Sequence, residues 1–202
     1  MLRGGTLIRV MSQALQSVSE PTDPRILRSR RMLMDALAKL LTQKEFDDIS
    51  VQEIADEATL NRATFYLHYP DKGALLQAMT EFRFRELIDR RGISFSNCEG
   101  ALRAIALGLL DYLTEVTGCP LQAERIPLEN SIIPVLEGMF KAGAARHGVR
   151  EGVDGDLVAT TAAWAIFGAA RRWFRTPNHI PAEEMAEKIE VLVKPILATG
   201  AR

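Results

Sequence analysis

Pro70 constrains the first half of this chain more than any other residue. A proline disfavours helical backbone at the residue before it, so a helix arriving from upstream must end by Tyr69. Asn61 is a suitable N-cap for that helix, which then starts at Arg62. Further upstream, Ser50-Val51-Gln52-Glu53 fits the Ser-x-x-Glu capping box, in which the two end residues satisfy each other's orphan amides. Val51, Ile54, Ala55 and Ala58 follow on one helical face. Beyond the proline, Asp71 can cap a longer helix with the core stripe Leu75, Leu76, Met79 and Phe82. Residues 50–76 therefore read as a short helix, a tight turn, a second short helix, a break and a long helix.

The second short helix, residues 62–69, is roughly 12 Å long and marginal on its own in water. Packing must hold it, and Phe65 with Tyr69, one turn apart, form the expected inward pair. Arg62, Ala63, Thr64, Tyr66, Leu67 and His68 are then turned outward to varying degrees. Such a surface suits a DNA major groove, where Arg reads guanine and smaller groups reach phosphate or a thymine methyl. On capping and spacing alone, an ordinary helical hairpin in an α-helical core fits equally. Lys72 lies in the first turn of a helix, where the dipole disfavours a cation. A DNA phosphate at that helix end is one reason for it; simple solvation is the other.

The run Ser50-Val51-x-x-Ile54-Ala55, then Leu60-Asn61-Arg62-Ala63-Thr64-Phe65-Tyr66-Leu67-His68-Tyr69, then Asp71-Lys72-x-x-Leu75-Leu76, resembles the DNA-binding domain of the TetR family of bacterial transcriptional regulators. The resemblance covers about residues 25–80, and its Thr-Phe-Tyr-x-His-Tyr-x-x-Lys order is specific. It implies phosphate contacts from Thr64, Tyr66, His68 and Lys72, with Ser50 added at the start of the preceding helix. Arg62 is the first candidate for base readout, and Gln52, Ala63 and Leu67 follow it. The chain departs from the family pattern at Thr59, where glycine is usual in the turn. Either Thr59 tolerates a strained backbone or the turn differs.

At 202 residues the chain has room for a small head and a larger second domain. The formal net charge of -1 gives no overall nucleic-acid signal, so basic character must be local. Arg25, Arg28, Arg30 and Arg31 form such a cluster at the start of a helix expected over residues 25–43. Its inner stripe is Ile26, Leu33, Leu37, Leu40 and Leu41. Phosphate contact by Arg25 and Arg28 is the favoured reading of the cluster, with solvation as the alternative. Phe46 is expected to pin the following loop into the head. Residues 1–24 lack the continuous apolar core of a signal peptide and are read as a flexible arm. No apolar run is long enough to span a bilayer. Cys98 and Cys119 make no metal pattern and, at opposite ends of one helix, would lie on the order of 30 Å apart. Free thiols in a reducing cytoplasm are the reading that fits.

The proposed division is thus an arm (1–24), a helix-turn-helix head (25–72) and an all-α ligand-binding and dimerisation domain (73–202). A helix over 71–91 would run from the head into the second domain as a lever. An apolar helix is expected over 101–117 and another over 135–147. Pro120, Pro127 and Pro134 imply short or kinked helices between them. Residues 162–170 are apolar on all sides, so that helix needs cover all round. Together with an amphipathic helix over 181–197 it would form a four-helix bundle with a second subunit, the homodimer that the family resemblance also implies. The candidate interface is Ala162, Ala165, Ala169, Trp173, Ile189, Leu192, Val193 and Ile196; a monomer with that helix centrally buried is the alternative. Candidate walls for a small, largely apolar ligand are Phe82, Leu109, Tyr112, Leu113, Met139, Phe140, Trp164 and Phe167. Aromatic and Met residues at this spacing also make plain core.

The sequence carries no phosphate-binding glycine loop, no His-Glu-x-x-His pair and no nucleophile elbow. His68, His147 and His179 are scattered across different elements. No catalytic residue, cofactor or metal is expected. Three readings stay open: a ligand-responsive repressor on a near-palindromic operator, a DNA-binding regulator governed by a protein partner or acting as an activator, and a helical enzyme or carrier. Repression is what the family resemblance implies.

Overall fold

The computed structural model describes residues 23–91, 98–116, 126–147 and 154–198, and all regular elements among them are helical. Residues 1–22 of the expected N-terminal arm and Cys119 lie outside the described residues, and Asp23 and Pro24, also assigned to the arm, cap and start the first helix instead. Helix α1 (Pro24–Leu41) starts on Asp23, whose carboxylate accepts from the Arg25 amide at 2.8 Å. It buries Leu33, Leu37, Leu40 and Leu41, while Ile26 stays half-buried. A 3₁₀ turn (Phe46–Asp48) drops Phe46 into the same core. Helix α2 (Val51–Glu57) begins with the capping box in full: Ser50 Oγ accepts from the Glu53 amide, and the Glu53 carboxylate accepts from the Ser50 amide at 2.9 Å. Lys44 and the two Ser50 groups hold the Glu53 carboxyl down at about 2, in that order.

The turn after α2 settles the question raised by Thr59. The Leu60 amide donates to the Ala55 carbonyl at 2.9 Å and the Thr59 amide to Asp56 at 3.0 Å. This is the paired-bond Schellman end of a helix, which needs left-handed backbone at the residue in Thr59's place. Thr59 adopts it, with φ 55°. The turn keeps its geometry and the threonine carries the strain.

Helix α3 (Arg62–His68) is capped by Asn61, whose Oδ1 accepts from the Ala63 amide at 2.8 Å. Helix α4 (Lys72–Arg90) is capped by Asp71 through the Ala74 amide at 2.8 Å. The first turns of α4 place Leu75 and Leu76 in the head's core, and its later turns place Phe84, Leu87 and Ile88 in a second core. Fully burying a side chain of this size contributes ~1.5–3 kcal/mol, so one rigid element is anchored in both cores. Phe82 departs from its expected stripe. It is 40% exposed, with the Arg31 guanidinium 5.4 Å above its ring, and Phe84 takes the inward position.

The second core is built by α4, α5 (Cys98–Asp111), α6 (Leu128–His147), α7 (Gly155–Arg175) and α8 (Ala182–Ala198). Helices α4 and α5 meet closely at Gly108, where a Cβ would fall 2.7 Å from Ile88 Cγ1. At the far end of α4, Arg91 forks onto Asp111 at 2.5 and 2.6 Å and reaches Glu183 at 3.1 Å. These charge-assisted bonds tie the ends of α4, α5 and α8 together and raise the guanidinium's pKa further.

Two expectations are corrected here. The apolar helix over 101–117 leaves α geometry at Tyr112, and Tyr112–Val116 form a π turn. The third proline does not end its helix: α6 runs from Leu128 through Pro134 to His147. Pro134 and Asn130 are both exposed, so the carbonyl that loses an amide partner four residues earlier can be hydrated.

Candidate nucleic-acid interface

Phe65 and Tyr69 turn inward from α3 and are buried at 0% and 3% exposure. Their burial rolls the opposite face of the helix into solvent. Arg62, Ala63, Tyr66 and Leu67 are exposed there, and Leu67 reaches 82%. Thr64 and His68 are half-buried at the edges. Arg62 lies along Tyr66, one turn on, with Nη2 3.2 Å from the phenol oxygen and the guanidinium 5.5 Å from the ring centroid. Tyr66 is braced edge-on against Phe65, with the centroids 5.5 Å apart. The chief base-reading candidate is therefore held against a second candidate that rests on the core.

Burial and, secondarily, the Arg30 charge push His68 below the ordinary histidine value. Its ring is neutral near pH 7 and offers one N–H rather than a cation. Arg30 has its guanidinium 5.4 Å from the Tyr69 ring, at the C-terminal end of α3. Sequence reasoning placed Arg25 and Arg28 in the interface and left Arg30 out. The structure shows Arg25 and Arg28 exposed on α1 and brings Arg30, of that cluster, against α3. The i, i+4 spacing that puts Arg30 on the side of Met34 and Leu37 was the available signal.

Lys72 has a different setting from the one its position in the first turn of α4 suggested. Its ammonium donates to the carbonyls of Phe46 at 2.8 Å, Asp47 at 2.9 Å and Ile49 at 2.9 Å, and sits 4.8 Å over the Phe46 ring. All three ammonium hydrogens are used. The 3₁₀ turn that it closes gives a reason for a cation at this helix start beside the two open alternatives, phosphate and solvation. Ser50, Tyr66 and Lys72 line one depression of about 360 Å³, which Asp47, Asp48 and Asp71 also border. Gln52 is exposed on α2, with its amide nitrogen on Asp56 at 2.8 Å.

The second domain holds a cavity of about 320 Å³ between the start of α6, the end of α7 and the π turn. Of the expected wall residues, Leu113 and Phe167 line it. Leu109, Tyr112, Met139 and Phe140 are packed in the core away from that lining, and Trp164 is 48% exposed on the outside of α7. Ile126, Phe174, Arg171 and Arg175 line the cavity and were not anticipated. The expected interface residues also separate. Ala162, Trp173, Ile189 and Val193 lie in the chain's own core, and Trp173 Nε1 donates to the Ile180 carbonyl at 2.6 Å. Ala165, Ala169 and Ile196 are half-buried, and Leu192 is 65% exposed. Leu157, Trp164 and Val191 are exposed as well, and a Cβ at Gly168 would meet open space.

Residues 33–79, from α1 into α4, match the family model of bacterial regulatory proteins, tetR family. These residues form a TetR-family head. Among curated relatives, the HTH-type transcriptional regulator YxbF of Bacillus subtilis is 31% identical over 121 residues, 59% of this chain and 32% of YxbF. The chain thus spans about a third of that relative's length. The HTH-type transcriptional regulator EthR of Mycolicibacterium smegmatis is 25% identical over 191 residues, 88% of this chain and 81% of EthR. The TetR fold extends over the second domain too. A TetR-family regulator from Streptomyces coelicolor superposes with a TM-score of 0.64 at 17% identity, covering 89% of this chain and 99% of that one. No helix among the described residues is long and apolar enough to cross a membrane.

Proposed function

We propose that this TetR-family protein is a cytoplasmic, homodimeric DNA-binding regulator that represses from a near-palindromic operator and is released by a small, largely apolar ligand. The observation that carries the reading is the exposed face of α3, where Arg62, Ala63, Tyr66 and Leu67 project from a helix braced by Phe65 and Tyr69. Arg62 reads a guanine, while Ala63 and Leu67 offer methyl groups to thymine. Tyr66, Thr64, His68 and Ser50 hold phosphates as neutral donors, and Arg25 and Arg28 do so as cations. Gln52 reaches the groove edge from α2. Lys72 supports phosphate binding by fixing the turn that carries Ser50.

The exposed apolar face of α7 and α8 supports a dimer. Leu157, Trp164, Val191 and Leu192 lie bare there, and Gly168 leaves room for a close helix. Two heads so joined must present α3 at successive major grooves, about 34–36 Å apart. A ligand in the α6–α7 cavity releases DNA only by favouring a head spacing that no longer fits that repeat.

The test is binding of the purified protein to DNA from its own upstream region at two salt concentrations, beside Arg62→Ala and Tyr66→Phe. Arg62→Ala is expected to cost ~1–3 kcal/mol and to relax sequence preference at one position in each half-site. Tyr66→Phe should weaken binding to all sequences alike. Failure of specific binding there and in random operator selection would end the regulator reading.

A further inference from the structure

The cavity between α6 and α7 has a chemically divided lining. Its floor is apolar and buried: Leu113 from the π turn, with Phe167 and Phe174 from α7. Its rim is charged. Arg171 and Arg175, one turn apart on α7, face the first turn of α6, where Glu129 forms an ion pair with Arg171. Two guanidinium groups therefore line the site, and the carboxylate among its described lining residues is that of Glu129, on Arg171. The start of the 20-residue α6 forms the same rim, so the positive end of its dipole points there too. Basic residues are favoured in the last turn of any helix, but that applies equally to Arg172, which lies off the cavity. The dipole of α7 does not explain why two of the arginines converge on an apolar floor. The volume of about 320 Å³ suits a small molecule.

We propose that the ligand of this site is an anionic amphipath: an apolar chain or ring seated on Leu113, Phe167 and Phe174, with one carboxylate that displaces Glu129 from Arg171. The inference rests on the ligand-responsive reading above and narrows it to one chemical class. Glu129 pairs with the guanidinium that the ligand takes, at the exposed rim, so entry exchanges one carboxylate for another. The occupant also touches Ile126, which lines the cavity and packs against both hydrophobic cores. Through Ile126 a filled cavity presses on the core that holds α3.

The experiment is calorimetric titration of the full chain with octanoate, 1-octanol and octylamine, three probes of one chain length and different heads. Octanoate is expected to bind at least tenfold tighter than octanol, and octylamine weakest. Decanoate should gain about fourfold per added methylene over octanoate until the floor is covered. Arg171→Gln should reduce octanoate to the level of octanol. Glu129→Gln should strengthen octanoate several-fold and leave octanol unchanged, a gain that a misfolded variant cannot mimic. Equal binding of octanoate and octanol, preference for octylamine, no binding of any probe, or no gain in Glu129→Gln would each overturn the proposal. Operator binding by the same samples separates the two readings. DNA binding without octanoate binding refutes the anionic ligand alone, whereas octanoate binding without DNA binding refutes the regulator alone.

Discussion

Thr80 Oγ1 and Tyr112 Oη lie 3.2 Å apart, and both residues are fully buried. The contact joins the middle of α4 to the first residue of the π turn, next to Leu113 on the cavity floor. Burial lifts the Tyr112 phenol above its ordinary value, so the hydroxyl stays neutral. Each hydroxyl is the other's answer to desolvation. Thr80→Val should cost ~1–3 kcal/mol in urea unfolding, because the Tyr112 hydroxyl is left without a partner. Tyr112→Phe should cost less, ~0.5–1.5 kcal/mol, because a helical threonine can turn its hydroxyl back to the carbonyl four residues earlier. Equal losses in the two variants would contradict this ordering.

Thr59 holds a left-handed conformation that only glycine adopts without a steric penalty. Thr59→Gly is expected to stabilise the protein by about 1 kcal/mol, the lower end of that penalty. A rise in melting temperature with unchanged operator affinity would show that the turn geometry itself was already correct.

Lys72 closes the 3₁₀ turn with three hydrogen bonds. Lys72→Met keeps the stem and removes the donors, and a loss of ~1–3 kcal/mol is expected for the carbonyls so deprived. Lys72→Arg should not restore it, since a planar guanidinium cannot aim three hydrogens at converging acceptors. If Lys72→Met lowered operator affinity at unchanged stability, the ammonium would be a direct phosphate contact instead.

Glu53 has its pKa lowered from 4.5 to about 2, chiefly by Lys44 and then by Ser50. A depressed carboxyl contributes stability that is fully present above the unfolded value and lost as pH falls through the folded one. The contribution should therefore fade between pH 4.5 and about 2. In acid titrations followed by circular dichroism, Glu53→Gln should be less stable than the parent at pH 6 and approach it at pH 2. A constant difference across that range would mean that the carboxylate's charge is irrelevant to the cap.

Trp164 and Leu192 are large apolar residues exposed on the single chain. Trp164→Glu should leave protomer stability within ~0.5 kcal/mol, as for other surface changes, while shifting the species seen by light scattering from dimer to monomer. Operator affinity should fall with it. A monomeric parent protein would refute the proposed interface directly.

The head was legible from the sequence because its signals are local. Ser50, Asn61 and Asp71 each cap the helix that follows within three residues, and Pro70 blocks the helix before it. The inward pair Phe65 and Tyr69 follows from one turn of helical spacing. The role of Lys72 was not legible, because its partners lie 23 to 26 residues back in the chain and are carbonyls, which every residue has. The all-apolar stretch of α7 hid its own division. Ala162 faces inward and Trp164 outward, and hydrophobicity alone assigns them the reverse.

The sequence by itself determined where helices begin and end in the head and which face of α3 is free. Capping and proline sterics act over one turn and do not depend on the rest of the molecule. Only the tertiary structure decided which apolar faces became core, that Leu113 lies in a π turn on the cavity lining, and that Arg171 meets Glu129, with Arg175 on the same rim, over an apolar floor. Those outcomes depend on helices that meet across more than forty residues of chain, as Glu129 and Arg171 do with a separation of 42. Their energies come from burial and charge pairing at a distance that no local pattern records.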